Sequence, residues 1–142
     1  MHAIAAEEGN YLYTKCSQIP HAGMGLYTAI PIYKNEIISF FTGELLNTKE
    51  AKIRADEGND AYFISLLNGK ILDSMNTEGY AKYANDPLGL VKSLFTCNSK
   101  ITVNEHNRVC LLAKRKIKAG EEIFCRYGAK YWQNHKTPPK RV

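Results

Sequence analysis

Apolar residues in this chain come in short runs, and almost every run stops at a turn-forming residue. "YLYTKCS" (11–17), "EIISFF" (36–41), "AYFISLL" (61–67), "KILDS" (70–74) and "EEIFC" (121–125) are each too brief for a core-spanning helix. They are rich in Ile, Phe, Tyr and Leu, the residues that suit a pleated, half-buried strand. Between "GLYTAIPI" and "EIISFF" lies a loop at 31–35 whose Asn35 tolerates a left-handed backbone, which predicts a tight turn between strands. Asn68-Gly69 separates "AYFISLL" from "KILDS" and is suited to a two-residue hairpin. "RVCLLAKRKI" (108–117) reads as a further strand. Only "NTKEAKIRADEG" (47–58) predicts a helix, with Asn47 or Thr48 as cap, Glu50 in the first turn and Gly58 at the end. "YAKYA" (80–84) predicts a single helical turn closed by Pro87. The pattern predicts a mainly β domain of short strands with long irregular connections.

At 142 residues and 44% hydrophobic content, the chain can bury one real core and is too short for two, so a single domain over 1–142 is expected, ending in a short basic tail at 133–142. Net charge is +5, yet Lys and Arg are spread along the chain, which reads as a solvated surface and gives no strong nucleic-acid signal. Cys16, Cys97, Cys110 and Cys125 lack the C-x-x-C spacing of a zinc site, and the apolar neighbours of Cys110 and Cys125 predict buried thiols. No metal is expected. "MHAIAAEEGN" has too short an apolar stretch for a signal peptide, and no segment approaches membrane-spanning length. An intracellular protein without a membrane partner is the expectation.

Chemistry is suggested by four patches. "HAGMGLYT" (21–28) carries Gly23 and Gly25 around Met24, a pair that lets backbone approach a ligand closely. "DAYFISLLNGKILDS" (60–74) is an aromatic-bearing hairpin, and "YAKYANDP" (80–87) sets Asn85 and Asp86 before a proline. In "AGEEIFCRYGAKYW" (119–132) a brief strand over Ile123, Phe124 and Cys125 runs out at Tyr127, where a rigid ring with a hydroxyl can line a pocket. Taken alone, each patch also fits ordinary packing.

In this order and spacing, the four patches resemble the SET-domain family of S-adenosylmethionine-dependent protein lysine methyltransferases. The family's opening G-x-G, isoleucine-rich strand and aromatic-x-Gly-Glu are matched by "GMGLYTAIPIYKNEIISFFTGE". Its Arg-(Phe/Tyr)-x-Asn-His motif is matched by Lys82-Tyr83-Ala84-Asn85-Asp86, and its Gly-Glu-Glu-Leu-x-x-x-Tyr-Gly by Gly120 through Gly128. The resemblance implies a β-clip fold with one short inserted helix and a C-terminal pseudoknot that joins the third and fourth patches. It implies Tyr127 as the catalytic tyrosine. Gly23, Met24, Gly25, Tyr62, Lys82, Asn85, Asp86 and Trp132 would contact S-adenosylmethionine, with Lys82 facing its carboxylate and Trp132 stacking on the adenine. Phe41 and Cys125 would line the lysine channel. Phe41 stands where many members have tyrosine, Lys82 where they have arginine and Asp86 where they have histidine. The small Cys125 implies a roomy channel that admits di- or trimethylation.

The partner implied is a lysine-bearing protein, with a histone tail as the family-level expectation and the nucleus favoured over the cytoplasm. A homodimer is a further expectation, resting on the aromatic tail "KYWQNH" (130–135). Two other readings stay open at this point: a catalytically inactive SET-fold interaction module, and a basic nucleic-acid-binding β domain. Cofactor affinity separates the first from an enzyme, and a steep salt dependence of binding would mark the second.

Overall fold

The connections predicted from turn chemistry divide the strands into three small sheets. The structure is a computed structural model that describes residues 1–66, 69–87 and 94–126. In the first sheet, β1 (His2–Ala3) runs parallel to β4 (Glu36–Phe40), which pairs antiparallel with β9 (Val109–Ala113) and through it with β8 (Ser99–Val103). The second has the order β10 (Glu122–Ile123), β3 (Met24–Thr28), β2 (Leu12–Cys16). The third has the order β5 (Glu44–Leu46), β7 (Ile71–Asp73), β6 (Phe63–Ser65), and the helix α1 (Thr48–Asp56) follows β5.

Two-residue periodicity decides where β9 sends its side chains. Val109, Leu111 and Ala113 join the main core with Leu26, Ile32, Ile38, Ile117 and Ile123, while Cys110 and Leu112 pack on the opposite side with Ile37 and Phe40. All five residues are buried. A register shift between Ile37 and Ser39 interrupts β4, and Glu8 fills the irregularity: its carboxylate accepts from the Ser39 hydroxyl and from the Phe40 N–H at 3.1 Å. The irregular backbone is thereby satisfied from the N-terminal segment.

Helix α1 starts where the capping residues predict. Asn47 accepts from Glu50 N at 2.8 Å while the Glu50 carboxylate accepts from Asn47 N at 3.2 Å, a reciprocal capping box. Ala51 seats the helix on Leu46 and Phe63. Arg54, near its end, donates to Glu44 at 2.9 Å and to the buried Asp73 at 2.7 Å, which locks the helix to β5 and β7.

One local expectation is corrected. At the end of the β6–β7 pairing, Leu66 N donates to Lys70 O at 2.9 Å and Gly69 sits in the left-handed region at φ 83°, while Asn68 of the expected two-residue turn lies outside the described residues. The expected strand over Ile123 to Cys125 is shorter and shifted. Glu122 and Ile123 pair with β3, whereas Phe124 leaves that ladder to form a parallel bridge with Asn85. Asn35, at φ 71°, turns as expected. Among the described residues, no helix is long and apolar enough to cross a membrane.

Candidate active site

Asn85 sits where three distant stretches of chain meet. The 3-10 turn Ala81–Tyr83 ends just before it and leaves its backbone extended enough to bridge Phe124. Its carbonyl accepts from Cys125 N at 3.0 Å, and its side-chain amide donates to Met24 O at 3.0 Å. The first, third and fourth sequence patches thus converge on one buried asparagine. Asn98 completes the arrangement from β8's leading edge. Its amide donates to Glu122 O at 2.8 Å and its carbonyl accepts from Phe124 N at 2.9 Å, so one side chain replaces two ladder bonds exactly where β10 gives out.

Lys82 extends from the same turn toward the hairpin. Its ammonium donates to Thr77 O at 2.7 Å and Met75 O at 3.3 Å, and lies 5.7 Å from the Tyr62 ring centroid and 5.3 Å from that of Tyr83. Two of its three N–H groups therefore hold the 75–77 loop, leaving one for a ligand. A narrow cleft of about 140 Å³, too constricted for a water molecule, is lined by Phe41, Ser74, Thr77, Lys82 and their neighbours. Ser74 Oγ is buried there without a hydrogen-bond partner among the described residues. Among the described residues, one Lys82 N–H and the Ser74 hydroxyl lack an acceptor along this cleft, which as it stands is too narrow to admit one.

Each expected site residue has a place or lies outside the described residues. Gly23 (φ 72°) and Met24 are exposed. Gly25 is buried, and a Cβ there would stand 2.3 Å from Glu122 Oε2, so its missing side chain is required by a buried carboxylate. Asp86 is buried beside Asn85. Phe41 is buried, with its N–H bonded to Val109 O at 3.0 Å. Cys125 is fully buried in the main core, its sulfur 4.0 Å from Ala84 O. Tyr127 and Trp132 lie outside the described residues. Burial pushes the thiols of Cys97 and Cys110 up, which keeps them protonated at neutral pH. Sequence reasoning missed Asn98, Glu122 and Ser74; Glu122 and Ser74 stood inside quoted stretches without being singled out, and Asn98 stood in none.

A groove of about 490 Å³ separates two sheet edges. Ile64, Ser65 and Leu66 line one side, and Ile101, Thr102, Val103 and Val109 the other. Among the described residues β6 pairs only with β7, and β8 only with β9, so both groove walls present unpaired strand edges.

The family model described as SET domain matches residues 23–128, which contain the second and third patches whole, the Gly23–Gly25 stretch of the first, residues 119–128 of the fourth, and the Asn85 junction. The chain belongs to the SET-domain family. Its relatives include the histone-lysine N-methyltransferases EZ1 of Zea mays and CLF of Oryza sativa subsp. japonica. Each is 34% identical over 113 residues, a stretch covering 75% of this chain. The match covers only 11% of EZ1 and 12% of CLF, so this SET domain corresponds to a small part of either. Among solved structures it is similar to a humanized mutant of the Chaetomium thermophilum Polycomb Repressive Complex 2 bound to the inhibitor GSK343. The TM-score is 0.65 at 29% identity, over 82% of this chain and 15% of that one. The same complex bound to GSK126 gives 0.67 at 27% identity, with the same coverage. The mainly β fold with one inserted helix is the SET-domain fold of these structures.

Proposed function

We propose that this SET domain transfers a methyl group from S-adenosylmethionine to the ε-amine of a lysine in a protein, a histone being the substrate its relatives' names point to. The observation that carries the reading is the Asn85 junction, which gathers Met24, Asn85 and the strand leading to Tyr127 into one place. In this reading Lys82 faces the cofactor carboxylate, backbone at Gly23 to Gly25 and groups of Tyr62, Asn85 and Asp86 hold its remaining parts, and Trp132 covers the adenine. A histone substrate places the protein in the nucleus.

The cofactor, when bound, supplies an electrophilic methyl on a sulfonium. Methyl transfer moves a positive charge from sulfur to nitrogen and creates little new charge, so alignment and dehydration dominate the task of the protein. A channel walled by Phe41 and Cys125 strips water from the lysine, which favours the neutral amine with its lone pair free. In this reading Tyr127 would hold the substrate amine through its hydroxyl and so fix the line of attack. The groove between the β6 and β8 edges suits an extended peptide, whose backbone would pair with both while its lysine enters the channel. In this reading Cys125, smaller than an aromatic ring, is the channel residue that would admit a second and third methyl group.

Calorimetry with S-adenosylmethionine, followed by label transfer to a histone panel, tests the proposal. Binding and transfer are expected. Tyr127→Phe should bind cofactor as the unmodified chain does and lose most turnover; unchanged transfer removes Tyr127 from its role. Mass spectrometry should show products beyond monomethyl-lysine. No cofactor binding at all would favour a SET-shaped interaction module.

A further inference from the structure

Glu122 is a fully buried carboxylate, and among the described residues no cation pairs with it. Neutral donors meet it instead, as a buried charge requires. Ser17 Oγ donates to Oε2 at 2.6 Å. Gln18 N donates to Oε1 at 2.8 Å, with Gln18 Nε2 at 3.4 Å. The Tyr27 hydroxyl lies 3.0 Å from Oε1 and 2.8 Å from Cys16 O, its single proton serving one of them. Burial first and the adjacent Glu122 second raise the Tyr27 pKa, so that phenol remains a donor.

These contacts organise the loop that leads into Gly23 and Met24. Ser17 Oγ, while donating to Glu122, accepts from Ile19 N at 3.1 Å, and Ser17 N donates to Gly23 O at 2.8 Å. The 17–23 loop is thus folded upon the carboxylate, although its own sequence offers few apolar anchors and only Ile19 is buried in it. Gly25 supplies the space that Oε2 occupies. From Glu122 the chain continues through Phe124 to Cys125, whose N–H reaches Asn85, and Asn85 returns to Met24 O. A closed circuit results: Met24 is held on one side by Asn85 and on the other, through Gly23 and Ser17, by Glu122.

We propose that Glu122 is a positioning residue for the cofactor site. Its two oxygens act as a template that sets the Gly23–Met24 backbone against Asn85 and the strand entering Tyr127, which rests on the cofactor reading above. The template works by acceptor geometry. In Glu122→Gln, Oε1 keeps its donors, and the new amide donates to Ser17 Oγ after the hydroxyl turns. Ser17→Ala removes the only donor to Oε2 among the described residues and the acceptor of Ile19 N, while leaving every residue assigned to the cofactor or the lysine untouched.

The test compares the full chain with Ser17→Ala and Glu122→Gln by calorimetry with S-adenosylmethionine, thermal melting and steady-state kinetics. Ser17→Ala is expected to raise the cofactor Kd and KM about ten-fold with kcat at saturating cofactor unchanged, the split that a lost alignment of a binding loop produces. Glu122→Gln should stay within about three-fold of the unmodified Kd, since its acceptor geometry persists. A Ser17→Ala protein that binds cofactor normally overturns the proposal, as does one whose cofactor affinity, kcat and melting temperature all fall together. Loss of affinity in Glu122→Gln equal to that in Ser17→Ala overturns the geometric template. Absence of binding by the unmodified chain overturns the cofactor reading itself and this inference with it.

Discussion

Replacing Asn98 by alanine isolates what one buried amide contributes to this fold. Asn98 is fully buried, and its side chain makes two close bonds to backbone: to Glu122 O at 2.8 Å and from Phe124 N at 2.9 Å. Alanine keeps the Asn98 backbone contacts to Phe124 O and Lys114 N but strands Glu122 O and Phe124 N, the side chain's two partners, among buried residues. Each stranded group costs about 1–3 kcal/mol, so the substitution is expected to destabilise the protein by about 3 kcal/mol. Unfolding entropy of about 2.1 cal/mol/K per residue amounts to roughly 0.3 kcal/mol/K for 142 residues, which converts that loss into a fall in Tm of about 10 °C. Asn98→Asp should be worse. Its Oδ1 can still accept from Phe124 N, but a second oxygen then faces the Glu122 carbonyl and the Glu121 carboxylate, which the amide nitrogen now approaches at 3.4 Å. Differential scanning calorimetry of the two variants at neutral pH reads both effects. A fall below about 3 °C for Asn98→Ala, or an Asn98→Asp protein as stable as Asn98→Ala, would refute the hydrogen-bond argument.

Three further outcomes follow from the same structure. Ser74→Ala removes an unpartnered buried hydroxyl and should raise stability by about 1 kcal/mol, about 3 °C in Tm, when measured without ligand; a fall would show that the hydroxyl has a partner. Gly43→Ala would place a Cβ 2.2 Å from Asp73 O and 2.7 Å from its carbonyl carbon, backbone atoms that cannot swing aside, so a loss of about 2–3 kcal/mol is expected in urea unfolding. Burial raises the Glu121 pKa, but the hydrogen bonds from Arg115 and Lys118 N outweigh it, leaving the carboxyl below its ordinary value. A lowered folded-state pKa adds stability that is complete above the unfolded glutamate value of about 4.3 and lost as pH falls through the folded one. The Tm gap between the unmodified chain and Glu121→Gln should therefore be present at pH 7 and close in acid.

Local chemistry made much of this fold legible. The Asn47–Glu50 capping box, the turn at Asn35 and the alternation along β9 each involve residues a few positions apart, and each follows from propensity and period. The strand over Ile123 to Cys125 was misjudged because Phe124 had a second possible partner, Asn85, that sequence spacing does not reveal. For the candidate site, motif order named Met24, Lys82 and Asn85 but not the groups that hold them.

By itself, then, the sequence determined a mainly β fold, the helix that follows Asn47 and the set of motifs that mark the SET family. Only the tertiary structure decided that Asn85 binds Met24 across 61 positions, that Asn98 grips Phe124 across 26, and that Ser17 and Glu122 meet across 105. The physical reason is that hydrophobic period reports which face of a strand is buried, an average property of neighbouring residues. A buried polar side chain is satisfied by one particular distant group, and that pairing exists only once the core has brought the two together.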